Sequence, residues 1–203
     1  MARNVCSHCS RPSSACICSF IAAIDNDIRV VVLQHPKEVN HTKGSLPLLE
    51  KSLSKCQVII GESFDDNEEF LSILNAYPSS TFVLYPSEDA SQIHENFGVS
   101  QPIDIKCLIL LDATWKKAYK IYQLSNKLKN LPHLKLPDGF SSLYEIRKTK
   151  KSNALSTLEA CCHGLSLLEN QPEKYCSLLN NFVQFNQFQL SFRPSNDNDS
   201  SSK

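Results

Sequence analysis

Four short apolar runs, separated by segments with helical patterns, constrain the fold of this chain more than any other feature. The runs occupy residues 28–34, 56–61, 81–86 and 107–112, with the sequences IRVVVLQ, CQVIIG, TFVLYP and CLILLD. Each run is bounded by polar or turn residues, which is typical of a strand buried on both faces of a sheet. Helical patterns cover residues 46–55, 66–77, 88–97, 115–124, 156–170 and 174–192. Strands alternating with helices predict an α/β fold, with a mostly parallel sheet and flanking helices.

Length and composition limit the number of domains. The chain has 203 residues, of which 41% are hydrophobic, and this is enough for one main core with a small appendage. We expect the α/β domain to span residues 21–193 and the polar tail, 194–203, to be disordered. The sequence has no apolar run of about 18 residues and no recognisable signal peptide, so we expect a cytoplasmic protein without a membrane span.

Four of the nine cysteines are concentrated near the N-terminus, in the pattern Cys6-x2-Cys9-x6-Cys16-x-Cys18. A disulfide clip, a redox pair and a metal site are all compatible with cysteines this close together. In a reducing compartment such a cluster is more often metal-binding or catalytic than disulfide-bonded. Two close pairs joined by a short loop can surround a tetrahedral ion, so we predict a structural zinc motif within residues 1–20. The other five cysteines lie in apolar or helical runs and are predicted to be small core residues.

Polar residues directly follow three of the predicted strands. Parallel α/β sheets bind their ligands at the carboxyl ends of the strands, so these positions are the candidates for a site. They are His35 to Glu38, Tyr85 to Glu88 and Asp112 to Trp115. With five glycines in the chain, no glycine-rich phosphate-binding loop is present, which argues against a dinucleotide or nucleoside-triphosphate site.

The net charge of zero conceals a marked asymmetry along the chain. Residues 61–104 contain nine acidic and no Lys or Arg side chains, whereas residues 116–151 contain ten Lys or Arg and two acids, a net charge of +8 (10 − 2). Aromatic residues are interleaved with the basic ones: Trp115, Tyr119, Tyr122 and Tyr144. This combination favours a nucleic acid partner. The alternative is that Lys116, Lys117 and Lys120 form the solvated face of an amphipathic helix.

Four motifs, taken in order, resemble the DTW-domain family. They are the cysteine pattern, His35-Pro36-Lys37-Glu38, Asp112-Ala113-Thr114-Trp115 and Leu155-Ser156-Thr157-Leu158-Glu159-Ala160. The resemblance extends to about residue 190. One departure is Ala113, where glycine is common in the family.

The resemblance implies a function and a fold. Members of this family are tRNA-uridine aminocarboxypropyltransferases, which use S-adenosylmethionine to make 3-(3-amino-3-carboxypropyl)uridine and release methylthioadenosine. They are related to the SPOUT class, so a knotted α/β fold is expected. The resemblance places the cofactor at Tyr85, Pro86, Leu111, Ala113, Thr114, Leu155, Ser156, Thr157 and Glu159. RNA-binding residues are expected at His35, Lys116, Lys117, Arg147, Lys148, Lys150 and Lys151.

Asp112 is the best placed carboxylate for this reaction. Uridine N3 carries a proton at neutral pH, and this proton must leave before N3 can attack, so a base or hydrogen-bond acceptor is needed beside it. The alternative role for Asp112 is to cap the helix that begins near Trp115. Trp115 itself is compatible with stacking on a base or with a place in the core.

The late helix and the first strand end also have structural explanations. Ser156 and Glu159 form an S-x-x-E capping box, which needs no ligand. The backbone N–H groups of this helix start could nevertheless hold the methionine carboxylate. His35 could contact phosphate or simply support the pocket wall.

Two other functions remain compatible with the sequence. One is an RNA methyltransferase that uses the same cofactor on a related knotted fold. The other is a non-enzymatic, zinc-containing RNA-binding module. The sequence leaves open which tRNA and which uridine are used, and the oligomeric state.

Overall fold

The computed structural model describes residues 4–39, 44–94, 104–140 and 155–192. Six strands in these residues form one sheet with the order β2-β1-β5-β3-β6-β4, and every pairing within it is parallel. The strands are β1 Arg29–Gln34, β2 Cys56–Ile60, β3 Thr81–Leu84, β4 Ser91–Gln92, β5 Cys107–Asp112 and β6 His133–Lys135. The predicted parallel α/β sheet with flanking helices is therefore confirmed.

Helices cover both faces of this sheet. They are α1 Leu46–Ser52, α2 Glu68–Ala76, α3 Trp115–Leu124, α4 Asn126–Lys129, α5 Thr157–Leu168 and α6 Cys176–Leu190. Within the described ranges, single turns of 3₁₀-helix occupy Ser13–Ala15, Cys18–Phe20 and Pro36–Glu38.

Side chains alternate between two cores along the central strands. Val30 and Val32 face one core together with α1, α5 and α6, whereas Val31 and Leu33 face the other with α2 and α3. Because the side chains of a strand point to opposite faces in turn, a strand buried on both faces is apolar throughout. This explains the apolar runs of β1, β3 and β5. β2 is an edge strand, and only Ile59 is fully buried in it.

The helix predicted over residues 88–97 is wrong. Ser91 and Gln92 form the short strand β4, which pairs with Leu134 and Lys135 of β6. The pairing is a tertiary contact that overrides the local helical pattern. Residues 95–97 of this predicted helix lie outside the described residues.

The N-terminal cysteine segment packs onto the α/β core. Cys9 and Ile17 belong to the same buried cluster as α5 and α6. The ring of Phe20 lies 5.9 Å from the ring of Phe185 and 5.4 Å from that of Phe188, both on α6. The segment thus shares the hydrophobic core of the α/β domain rather than standing apart from it.

The knot stays a prediction, because residues 141–154, which connect β6 to α5, lie outside the described residues. The same holds for the tail predicted at 194–203. Among the helices that the structure describes, none combines the length and apolar character needed to cross a bilayer.

Candidate active site and metal centre

The four N-terminal cysteines converge on one point. Their sulfur atoms all lie within 4.8 Å of one another. Cys6 Sγ is 3.6 Å from Cys18 Sγ, and Cys9 Sγ is 3.6 Å from Cys16 Sγ. Four sulfurs placed about 2.3 Å from a tetrahedral ion would be about 3.8 Å apart, so this cluster could bind a metal ion.

Backbone groups prepare the first of these sulfurs for a metal. The N–H groups of Cys9 and His8 donate hydrogen bonds to the sulfur of Cys6, and they lower the pKa of its thiol to about 6. The metal ligand is the thiolate, so a lowered pKa favours the binding form. Ser10 closes the turn with a positive φ of 55°, and its N–H donates to the carbonyl of Cys6 at 2.9 Å.

Asp112 lies at the carboxyl end of β5, in the middle of the sheet, with two donors on its carboxylate. Gln34 Nε2 donates to Oδ2 at 2.9 Å, and Thr157 Oγ1 donates to Oδ1 at 2.7 Å. Gln34 is the residue of β1 that pairs with Asp112 in the sheet register, and Thr157 opens α5. The carboxylate therefore joins two neighbouring strands to the start of a helix.

The contacts of Asp112 do not support the capping interpretation. The N-cap residue of α3 is Thr114, whose side chain makes no cap hydrogen bond, and the carboxylate of Asp112 is bound by Gln34 and Thr157. Because Thr157 of α5 donates to it, the carboxylate of Asp112 is directed to the face of the sheet that carries α5. Each of its oxygens has a further lone pair, so the group can still accept a hydrogen bond from a ligand.

The start of α5 has the predicted capping box. Ser156 Oγ accepts the Glu159 N–H at 3.2 Å, and Glu159 Oε2 accepts the Ser156 N–H at 2.8 Å. Both side chains are buried. Leu155 and Thr157 are half-buried beside them, so the first turn of the helix lies next to Asp112.

The remaining residues expected near the cofactor lie along the same edge of the sheet. Leu111 and Ala113 are half-buried and pack on the α3 side. Tyr85 is half-buried after β3, and burial raises the pKa of its hydroxyl. Pro86 and Thr114 are exposed.

His35 is buried, being 2% exposed, and both of its ring nitrogens have protein partners. Nδ1 accepts the N–H of Lys37 at 3.1 Å, which assigns the ring proton to Nε2, 3.0 Å from Glu62 Oε1. Glu62 also binds Lys120, and this hydrogen bond lowers the pKa of its carboxyl. His35 thus supports the loop after β1 from within, and its predicted contact with RNA stays a prediction that this burial does not favour.

The basic residues expected to bind RNA are placed in part. Lys117 donates to Glu38 Oε1 at 2.6 Å, so much of its charge is compensated. Lys116 is exposed. The others lie outside the described residues: Arg147, Lys148, Lys150 and Lys151.

Sequence analysis missed two residues of this edge, Gln34 and Glu62. Gln34 is a buried polar side chain at the last position of β1, directly before the candidate residue His35. Its polarity at the end of an apolar run was a signal. Glu62 gave none, because its partners, His35 and Lys120, are brought to it only by the fold.

The fold and this edge define a parallel α/β protein with a strand-end carboxylate and a cysteine cluster that could bind metal. Residues 3–190 match the DTW domain. The chain therefore belongs to the DTW domain family.

Named relatives agree with this assignment. The chain is 32% identical over 186 residues to tRNA-uridine aminocarboxypropyltransferase 2 of Macaca fascicularis, which covers 90% of this chain and 59% of that protein. It is 32% identical over 176 residues to the Drosophila melanogaster protein of the same name, covering 84% of this chain and 69% of that one. Identity to tRNA-uridine aminocarboxypropyltransferase A of Arabidopsis thaliana is 26% over 214 residues, which is 90% of this chain and 81% of that protein.

The chain spans about three fifths of the length of the macaque and mouse relatives, with 59% and 57% of those proteins covered. No solved structure matches it significantly.

Proposed function

We propose that this protein transfers the 3-amino-3-carboxypropyl group of S-adenosylmethionine to N3 of a uridine in tRNA. The observation that carries the proposal is the Asp112 carboxylate, which is held by Gln34 and Thr157 beside the start of α5. The names of the relatives support the same substrates.

We assign Asp112 the role of accepting the proton of uridine N3. In the reaction, N3 forms a bond to the methylene carbon next to the sulfonium, and the bond from that carbon to sulfur breaks. Its electron pair neutralises the sulfonium, so methylthioadenosine leaves uncharged, while the N3 proton passes to the carboxylate. The hydrogen bonds from Gln34 and Thr157 fix the carboxylate in place. A proton acceptor whose position is already fixed loses little entropy when the substrate is aligned with it.

The first turn of α5 fits the amino-acid end of the donor. The first N–H groups of a helix have no intrahelical acceptor, and they favour a negative charge. The hydroxyl of Thr157 is 2.7 Å from Asp112. The methionine carboxylate of S-adenosylmethionine, if held at this turn, would therefore lie close to Asp112. The side chains of Ser156 and Glu159 each accept the backbone N–H of the other residue, so we assign these two residues to the shape of this turn.

The other residues of the edge are assigned to the adenosine end. Tyr85, Pro86, Leu111, Ala113 and Thr114 follow or end β3 and β5, which are neighbours in the sheet. They offer half-buried apolar surface next to exposed positions, which suits a nucleoside.

The tRNA is assigned to the α3 side and to the basic segment beyond residue 140. The positive charge that phosphates require is assigned to Lys116, Arg147, Lys148, Lys150 and Lys151. Lys117 contributes less of it, because it is bound to Glu38. His35 is assigned a supporting role through Glu62.

Zinc is the metal that we assign to the cysteine cluster. Four thiolates around one ion form a closed, structural site, and such an ion stabilises the fold without taking part in the reaction. Cys9 is buried in the core that α5 and α6 share, so the ion would support the α5 side of the domain. The SPOUT relationship, the boundaries at residues 20 and 193, and a cytoplasmic location stay predictions.

Product analysis tests the proposal. Purified protein, S-adenosylmethionine and an unmodified tRNA transcript should yield methylthioadenosine and an aminocarboxypropylated uridine in equal amounts. S-adenosylhomocysteine as the product would identify a methyltransferase instead. Binding of tRNA without any binding of S-adenosylmethionine would identify an RNA-binding module.

A further inference from the structure

Two large aromatic side chains are exposed together on α3, directly after the strand that carries Asp112. Trp115 is 54% exposed and Tyr119 is 56% exposed. They are four residues apart, so their side chains are neighbours on one face of the helix. Aromatic side chains usually bury most of their surface, and a neighbouring exposed pair points to a binding surface. We call these two residues the aromatic ridge.

A third ring continues the ridge and is fixed in place. Tyr122 follows Tyr119 by three residues and stacks on Tyr85, with ring centroids 5.1 Å apart and an interplanar angle of 26°. Its ring also meets the edge of His133 at 5.5 Å. The helix face that carries the ridge is thus anchored to the end of β3 and to the start of β6, which holds it against the sheet.

The other flank of α3 holds compensated charges. Lys117 binds Glu38, which follows β1, and Lys120 binds Glu62, which follows β2. Lys116 lies between the two flanks, and in the described part of the chain it forms no ion pair with a carboxylate. A positive charge therefore stands beside the two exposed rings.

We propose that the aromatic ridge stacks on unpaired bases of the tRNA, with Lys116 bound to a neighbouring phosphate. The proposal rests on the proposed function, since it takes tRNA to be the substrate. Every base has a π-face, so an exposed aromatic pair beside a cation is the arrangement that single-stranded nucleic acid requires. The ridge begins three residues after Asp112. Nucleobases stacked on it would therefore be held near the carboxylate to which we assign the proton of uridine N3.

The fluorescence of Trp115 tests this directly, because it is the only tryptophan of the chain. Titration with an unmodified tRNA transcript, in the absence of S-adenosylmethionine, should quench its emission to saturation. Inorganic polyphosphate, which has the charge of a nucleic acid but no bases, should not quench it. The proposal would be overturned if polyphosphate quenched the emission as much as tRNA does, or if saturating tRNA left the emission unchanged.

Variants distinguish stacking from charge. Trp115→Leu and Tyr119→Leu should each weaken tRNA binding roughly tenfold or more, with an unchanged slope of log affinity against log salt. Tyr119→Phe keeps the ring and should bind within about threefold of wild type. Lys116→Gln should instead lower the slope by roughly 0.7. Leu124→Ala is the matched control, since Leu124 is 45% exposed on the same helix and should leave the affinity unchanged.

Other occupants of the ridge give different results. Quenching by S-adenosylmethionine but not by tRNA would assign Trp115 to the cofactor. Quenching that depends on protein concentration alone would assign the ridge to a second copy of the chain. Either result overturns the proposal. All these measurements report binding without transfer, so a protein that stacks tRNA on the ridge but makes no product would refute the proposed function alone.

Discussion

Replacement of Asp112 by Asn separates the charge of this side chain from its shape. The amide oxygen of Asn can still accept the hydrogen bond of Gln34, and its NH₂ group can donate to Thr157 Oγ1, so both contacts survive in neutral form. Hydrogen bonds to a charged group contribute about 1.5–3 kcal/mol each, against about 0.5–1.5 for neutral pairs. The half-exposed position reduces this difference, and we expect a loss of about 1–2 kcal/mol of stability. For a domain of this size that lowers Tm by roughly 2–8 °C.

The expected effect on the reaction is much larger. A positioned base contributes roughly 10²–10⁴-fold to a rate, so single-turnover transfer by Asp112→Asn should fall at least about 10²-fold. Binding of S-adenosylmethionine and tRNA should stay within several-fold. The transfer rate of the variant should also rise more steeply with pH than that of wild type, because hydroxide must then remove the N3 proton.

Thr157→Val is the matched control for this experiment. It removes the hydroxyl that donates to Asp112 at 2.7 Å but keeps the carboxylate and the side-chain volume. We expect it to lose roughly tenfold in rate, with a wild-type pH profile. If Asp112→Asn is folded and transfers at close to the wild-type rate, the carboxylate is only a link between β1 and α5, and the base is another group.

Three further predictions concern the metal, the basic segment and the core. Cys16→Ser should lower metal content and thermal stability together, from about one zinc ion per wild-type chain; a metal-free wild-type protein with stoichiometric disulfides after reducing preparation would contradict this. Replacing Lys148, Lys150 and Lys151 by Gln should flatten the salt dependence of tRNA binding by roughly 0.7–0.9 log units per lost phosphate contact, and an unchanged slope would make them plain surface lysines. Glu169→Gln should cost about 3 kcal/mol in urea unfolding, because the buried carboxylate accepts four hydrogen bonds, and a wild-type midpoint would refute this.

The sequence was informative where one element determines its own structure. The runs that became β1, β3 and β5 are apolar on both faces, the edge strand β2 was recognisable from the run at 56–61, and the pattern at Trp115–Leu124 matched α3 at both ends. The short strands were not predictable. β4 has two residues and β6 has three, too few for a periodic pattern. β6 forms by pairing with β3, and β4 forms by pairing with β6.

The candidate site divides in the same way. Asp112 could be predicted, because it ends an apolar run and such positions lie at the ligand-binding edge. Its two donors could not be assigned to it, since Gln34 is 78 residues away in the chain and Thr157 is 45 residues away. Only the register of β1 against β5 brings Gln34 opposite Asp112. Glu62 reaches His35 in the same way, across the ends of two paired strands.

Strand alternation places the two halves of the proposed reaction on opposite faces of the sheet. Asp112 is directed to the face that carries α5, whereas Leu111 and Ala113 pack towards α3, the helix of the aromatic ridge. On the proposed function, the amino-acid end of S-adenosylmethionine therefore lies on the α5 side, whereas its adenosine and the RNA lie on the α3 side. A uridine can meet both Asp112 and the reacting carbon of S-adenosylmethionine only above the carboxyl end of β5. A base in a duplex cannot reach this point while it remains stacked, so the substrate uridine must be unpaired or turned out of its helix. Stacking of nucleobases on Trp115 and Tyr119 would stabilise that arrangement, because the two aromatic side chains replace the stacking that the uridine and its neighbours lose.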